Sequence, residues 1–142
     1  LFTGLAGHGA WRNGERLRPP AARHEPDGLH LLASRTEVRD GLWDAVGADE
    51  GRVTPLSSLA WKLALVAAGE ADGTATPWPR STWDAAAGAI LLAETGGRLG
   101  TWAGRAIAWN APSTAVRGIV AAGPGRYAAV AALAHRVRGG VD

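Results

Sequence analysis

The sequence contains no cysteine and no methionine, and Lys62 is the only lysine among its 15 basic residues. Without cysteine, neither a disulfide nor a metal site built on thiolates can form. The chain begins with Leu1 and not with Met, so we expect it to be a piece of a longer protein. No apolar run approaches the roughly 20 residues of a membrane-spanning helix, and no signal-peptide pattern is visible. These absences favour a cytoplasmic protein that meets no membrane.

The composition that remains is typical of a globular domain. The chain has 142 residues, of which 46% are hydrophobic, and this is enough for one domain with a core. Its net charge is only +2, although the isoelectric point is 9.9. The arginines are scattered along the chain and form no basic run, so we expect no nucleic-acid polymer as a partner.

The most informative stretch is residues 83–97, which read WDAAAGAILLAETGG. Asp84 can cap the first turn of a helix, where unpaired N–H groups and the helix dipole favour a carboxylate. The small residues 85–87 allow close packing, and the apolar residues 90–92 are expected to supply the buried face. Gly96-Gly97 can end the helix, because glycine adopts the left-handed conformation at little cost.

The remaining pattern alternates between short strands and helices. Strands are predicted at 1–6, 10–12, 15–17, 29–34, 70–76 and 118–122, and a short strand or a loop at 53–56. Helices are predicted at 37–46, 59–69 and 126–137, and a hairpin joins 98–102 to 106–109. Asn13-Gly14 is a two-residue hairpin signal, and the proline-rich segment 19–28 is predicted to be a linker. The sequence therefore predicts a mixed α/β chain.

Two motifs resemble one known family. The pattern W-D-x-A-A-G, followed by an apolar run and G-G, resembles the C-terminal signature of the inositol monophosphatase family. Residues 7–14 resemble that family's G-x-G-A-x-x-N-G hairpin. The resemblance implies an α/β (α+β) fold, a layered mixed β-sheet flanked by helices, as in the C-terminal domain of the inositol monophosphatase/fructose bisphosphatase-like fold. Residues 1–27 would be the last hairpin of an otherwise absent N-terminal domain plus a linker, and residues 28–142 the C-terminal α/β domain.

The resemblance also implies a metal. In the family, the aspartate of the W-D motif is a Mg²⁺ ligand beside the scissile phosphate, and its counterpart here is Asp84. The residues alone predict an ordinary capping aspartate, and both roles can hold together. The family's other carboxylate motifs, a G-E-E type segment and D-P-[IL]-D-G-T, are absent. We therefore expect this chain alone to bind Mg²⁺ weakly and to turn over nothing, whereas the intact parent would be a magnesium-dependent phosphomonoesterase.

The other acidic residues of the first half lack any such pattern and are interpreted as surface charges: Glu37, Asp40, Asp44, Asp49 and Glu50.

Further candidate residues concern the substrate. Ser34-Arg35-Thr36 resembles the S-R-[ST] that faces substrate in the bisphosphate nucleotidase branch, although alone it would be a strand end with a cap. Ser57 and Ser58 precede the helix that the family directs at substrate, with Ser57 in place of the usual glycine. Lys62 lies one turn into that helix, where the nucleotidase branch often has a lysine that reaches substrate phosphate. A solvated surface lysine is the alternative.

One position separates the substrate branches. Near Thr76, inositol monophosphatases carry a glutamate that binds inositol hydroxyls and nucleotidases often carry an arginine. This chain offers Thr76 and then Arg80. The substrate would be a small phosphorylated metabolite, and the balance favours a 3′(2′),5′-bisphosphate nucleotidase. An inositol 1-phosphate or sugar phosphatase stays open, as does a truncated, non-catalytic binding or assembly domain. The family is often dimeric, so a homodimer is also open.

Overall fold

The computed structural model describes residues 1–18 and 28–138, so the predicted linker lies almost wholly outside the described residues. The elements of the first half are β1 (Phe2–Leu5), β2 (Gly9–Arg12), β3 (Glu15–Arg16), β4 (Leu29–Ala33), α1 (Arg35–Arg39), β5 (Gly51–Pro55) and α2 (Leu59–Ala67). Those of the second half are β6 (Gly73–Ser81), α3 (Thr82–Glu94), β7 (Arg98–Thr101), β8 (Ala115–Ala122) and α4 (Tyr127–Arg138). None of the described helices is long and apolar enough to cross a membrane.

The first three strands form an antiparallel sheet in the order β1-β2-β3. Asn13 and Gly14 join β2 to β3, and both have positive φ values, of 51° and 88°. Two left-handed residues in a two-residue loop match the twist of the flanking strands. The hairpin predicted from Asn13-Gly14 is therefore confirmed, with Trp11 opposite Arg16.

The second sheet has five strands in the order β5-β4-β6-β8-β7. Strand β4 runs parallel to β5 and to β6, whereas β8 runs antiparallel to β6 and to β7. This is the layered, mixed sheet that the resemblance implies. Its residues alternate between two cores, since Ile119 and Ala121 pack with α2 and α3 while Val120 and Ala122 pack with α4.

Helices α2 and α3 cross closely on one face of the five-stranded sheet, and β1 and β2 pack against α3. Gly88 makes the crossing possible, because a Cβ there would lie 2.4 Å from Leu63 Cβ. Ala85 is fully buried, whereas residues 86 and 87 are exposed. The predicted buried face is also wrong at Ile90, which is 37% exposed, because helical spacing directs it away from the sheet that Leu92 faces.

Three other predicted elements differ from the structure. The helix predicted at 37–46 is observed as the shorter α1, which begins at Arg35 and ends at Arg39. Turns follow it, because Gly41 is left-handed with a φ of 77°. Strand β6 continues past residue 76 to Ser81, and its register with β8 shifts between Thr76 and Pro79, where prolines are tolerated. Residues 106–109 form no strand, since β7 pairs with the longer β8.

Candidate functional site

The site lies at the edge of the five-stranded sheet where its three parallel strands end. Helix α1 follows β4, α2 follows β5 and α3 follows β6, so all three helices begin at the carboxyl edge. Ligands of open α/β sheets bind at this edge. An open pocket of about 320 Å³ lies here, lined by Ser34, Ser58, Leu59, Ala60, Lys62, Arg80 and Asp84.

Asp84 reaches the pocket from the first turn of α3. The capping residue of α3 is Ser81, which has extended backbone, so Asp84 is the third helical residue and not the cap. A carboxylate in the first turn is still stabilised by the helix dipole. The Asp84 side chain is exposed, and among the described residues no hydrogen bond or ion pair occupies it. It is therefore free to accept a cation or a donor from a ligand.

Lys62 borders the same pocket from α2, and it is only 2% exposed. This burial excludes a solvated surface lysine. Its Nζ donates a hydrogen bond to Ser34 Oγ at 3.2 Å. Burial lowers the pKa of Lys62, the nearby Glu37 carboxylate raises it, and the Arg80 guanidinium lowers it again. The pocket thus holds a nearly buried amine whose proton is held less tightly than in water.

Glu37 lies behind the two cations, and its interpretation as a surface charge is wrong, because it is 3% exposed. Its Oε2 accepts a hydrogen bond from Ser34 N at 3.1 Å, and its Oε1 accepts one from the Thr76 hydroxyl at 2.6 Å. The sequence carried a signal for this residue. The spacing Ser34-x-x-Glu37 is that of a capping box, in which the glutamate turns back to the start of its helix.

Arg80 stands near the end of β6, beside this carboxylate. Its Nη2 lies 3.4 Å from Glu37 Oε1 and 3.3 Å from Thr76 Oγ1, and its side chain is 30% exposed. The guanidinium is therefore anchored on one side and open on the other. A planar, open guanidinium is suited to a carboxylate or phosphate ligand.

Ser58 caps α2, and its Oγ accepts a hydrogen bond from Trp61 N at 3.3 Å. Its φ of 68° is a left-handed value that favours glycine, so the glycine-like backbone lies at Ser58 and not at Ser57. Ser57 and Arg35 are both exposed, and neither lines the pocket. Of the residues predicted from sequence, the structure brings together Ser34, Ser58, Lys62, Arg80 and Asp84.

These residues do not by themselves make a magnesium site. Mg²⁺ prefers an octahedron of hard oxygen ligands, commonly carboxylates, water and substrate phosphate. Within residues 1–18 and 28–138, no group of three or more histidine or acidic side chains could hold a metal ion. Glu37 is already engaged by three donors. Asp84 is thus the one carboxylate in the pocket that fits a metal ligand.

A helix-flanked mixed sheet, with one free carboxylate and two cations at its carboxyl edge, defines an α/β protein with a polar ligand pocket. Residues 1–138 match the family model described as the inositol monophosphatase family. The chain therefore belongs to the inositol monophosphatase family, and the predicted family and fold class are confirmed.

Solved structures of family members share the fold. The IMPase of Thermotoga maritima is 22% identical with a TM-score of 0.79, and the match covers 99% of this chain and 53% of that chain. The inositol monophosphatase of Anabaena (Nostoc) sp. PCC 7120 is 23% identical, with a TM-score of 0.70 and coverages of 95% and 54%.

The extragenic suppressor protein SuhB of Bartonella henselae is 25% identical, with a TM-score of 0.70 and coverages of 94% and 53%. The chain thus spans about half the length of these relatives. The comparison with curated protein sequences gives no significant match.

Proposed function

We propose that this chain is the pocket-bearing half of a magnesium-dependent phosphomonoesterase that hydrolyses a small phosphorylated metabolite in the cytoplasm. One observation carries the proposal: a free carboxylate, Asp84, shares one pocket with the side chains of Lys62 and Arg80. A carboxylate beside two cations suits a ligand that combines a metal ion with phosphate oxygens. Membership in a family named for a phosphatase supports the same reaction class.

Each residue would have a separate task. Asp84 would hold a magnesium ion, which neutralises charge on the attacking and leaving oxygens when bound. Lys62 would contact phosphate as a compact charge, and the Arg80 guanidinium would bind two oxygens in its plane. Ser34 keeps the Lys62 amine in place through its hydroxyl. Arg35 and Ser57 stay candidates for contact with substrate outside the pocket.

The remaining metal ligands would come from a further domain of the same protein. The length of the structural relatives, about twice the matched part, supports such a domain. An apolar groove of about 540 Å³ on α3, lined in part by Trp83, Ile90 and Trp109, offers it a surface. A second copy of this chain is the competing occupant, and it would correspond to the homodimer that the resemblance allows.

Among substrates we favour a 3′(2′),5′-bisphosphate nucleotide. Two cations in one pocket suit a ligand with a second phosphate, and Thr76 leaves β6 without a glutamate that would bind inositol hydroxyls. The fold is compatible with a nucleoside monophosphate and with an inositol phosphate, since one neighbour, SaIMPase-II, has been solved with 2′AMP bound and with inositol monophosphate bound. An inositol or sugar phosphate therefore stays the alternative substrate.

The test is phosphate release by the natural protein at its full cellular length, with and without Mg²⁺. The substrates are 3′-phosphoadenosine 5′-phosphate and inositol 1-phosphate. We expect faster release from the nucleotide, and a loss of about 100-fold or more in Asp84→Asn. Asp40→Asn, which neutralises an exposed acid outside the pocket, is the control and should keep activity. Full activity of Asp84→Asn would refute the metal-ligand role, and no release from either substrate would favour a non-catalytic binding or assembly domain.

A further inference from the structure

We propose that Glu37 is a positioning residue of this pocket, which fixes the Arg80 guanidinium so that the pocket accepts a phosphate-bearing anion. The inference rests on the proposed function, because it assigns an anionic ligand to the pocket. It adds a residue that the motifs do not mark, and that residue lies behind the pocket and does not line it.

The first step is the burial of the carboxylate. The Glu37 side chain is 1% exposed, and a buried carboxylate is tolerated only when its oxygens are bonded. Glu37 meets this condition with donors from three places: the backbone at Ser34, the Thr76 hydroxyl and the Arg80 guanidinium. A network with every acceptor used is rigid and fixes the side chains that donate to it.

The second step is the position of Glu37 in its helix. Glu37 is the third residue of α1, and its Oε2 is used by the helix start through Ser34 N. The other oxygen, Oε1, points to β6, where Thr76 and Arg80 meet it. One carboxylate thus joins the start of α1 to the end of β6, across 43 residues of sequence between Glu37 and Arg80.

The third step is the balance of charge. Lys62 and Arg80 are like charges near one another, as the lowering of the Lys62 pKa by Arg80 indicates. Without Glu37, repulsion and the open side of the guanidinium would favour rotation of Arg80 towards water. The Glu37 carboxylate therefore has two opposite effects on the affinity of the pocket for an anion. Its negative charge repels the anion and lowers the affinity, whereas its hold on the Arg80 guanidinium raises the affinity.

The opposite signs make a sharp test with Glu37→Gln. Glutamine retains the capping interaction at the third helical position, so α1 is preserved while the charge is removed. If Glu37 acted only as a charge, the variant would bind phosphate more tightly. We expect weaker binding of inorganic phosphate by the chain at pH 7, by about 10-fold or more, the scale of one charge-assisted hydrogen bond. Asp40→Asn removes an exposed negative charge from the end of the same helix, and should bind phosphate as the parent does or more tightly.

A double-mutant cycle shows whether the effect passes through Arg80. In the Arg80→Gln background, Glu37→Gln should change phosphate affinity by less than about 2-fold. Unchanged or tighter binding in the single variant would overturn the proposal. An equal loss in both backgrounds would overturn it as well, because Glu37 would then act independently of Arg80.

A measurement without ligand separates this proposal from the proposed function. The side-chain Nε–H signal of Arg80 in the NMR spectrum can be assigned by its loss in Arg80→Gln. We expect its motion to be restricted in the parent and to increase in Glu37→Gln, where the contacts of Arg80 with Thr76 and Pro79 remain but its ion pair is lost. A signal still restricted in Glu37→Gln would refute the anchoring.

The same signal decides the remaining cases. If the parent binds no phosphate but Glu37→Gln frees Arg80, the positioning stands and the proposed function fails. If Glu37→Gln does not fold, Glu37→Asp takes its place, because it keeps the charge and the Thr76 contact of Arg80 but shortens the side chain that reaches the guanidinium, and Arg80 must then gain motion.

Discussion

At the scale of the residue, Lys62 is a buried amine and the only lysine, so its titration can be followed without assignment. Because burial lowers its pKa, we predict a midpoint below the ordinary value of about 10.4 in a ¹³Cε NMR titration. Between the pKa of Lys62 in the folded chain and its higher pKa in the unfolded chain, the unfolded chain binds more protons than the folded chain. The stability contributed by this group therefore rises with pH across that window and is lost as pH falls through the folded pKa.

Lys62→Met is the matched control for this prediction, because it keeps the length of the side chain and removes the titration. Urea denaturation should show that the alkaline rise in the free energy of unfolding is smaller in this variant than in the parent. A midpoint at or above about 10.4 in the parent would contradict the burial of the amine.

The residues of the site were visible from sequence to different degrees. Asp84 stands inside a contiguous motif, and its place in the first turn of a helix follows from local pattern. The sequence alone predicts a surface charge at Glu37, because its partners Thr76 and Arg80 lie 39 and 43 residues away. Local spacing indicates a cap at Ser34, but only the pairing of β4 with β6 brings the strand partners to it.

At the scale of the element, the hairpin at Asn13-Gly14 and helices α2, α3 and α4 could be predicted because their signals are local. The errors fall where tertiary pairing decides. Residues 106–109 have an apolar pattern that is typical of a strand. In the structure they form an irregular segment in which Ile107 is buried, and β7 pairs with β8 instead. The strand predicted at 70–76 ends too early, because the register shift between Thr76 and Pro79 lets β6 continue through its prolines.

The crossing of α2 and α3 carries a prediction of its own. In Gly88→Ala the new methyl group would overlap Leu63 Cβ, which is backbone-fixed and cannot rotate away. We expect a loss of about 1–3 kcal/mol in the free energy of unfolding, measured by urea denaturation. Gly123→Ala is the control, since its nearest atoms are 3.9 Å away and its φ is not left-handed, so its change should stay within about 0.5 kcal/mol. A loss of less than about 0.5 kcal/mol in Gly88→Ala would show that the crossing is not tightly packed.

At the scale of the whole molecule, the fold places one free carboxylate, Asp84, in the pocket at the carboxyl edge of the sheet. A magnesium ion needs several ligands, and the described residues offer no group of three or more histidine or acidic side chains. We predict that the described chain binds Mg²⁺ with a Kd of about 10 mM or weaker. At about 1 mM Mg²⁺, such binding stabilises the fold by less than about 0.1 kcal/mol, so the Tm should move by less than about 1 °C. Asp84→Asn should show a shift no larger than that of the parent. A rise of several degrees that Asp84→Asn abolishes would mean that this chain alone completes the metal site, and the assignment of the other ligands to a further domain would then be wrong.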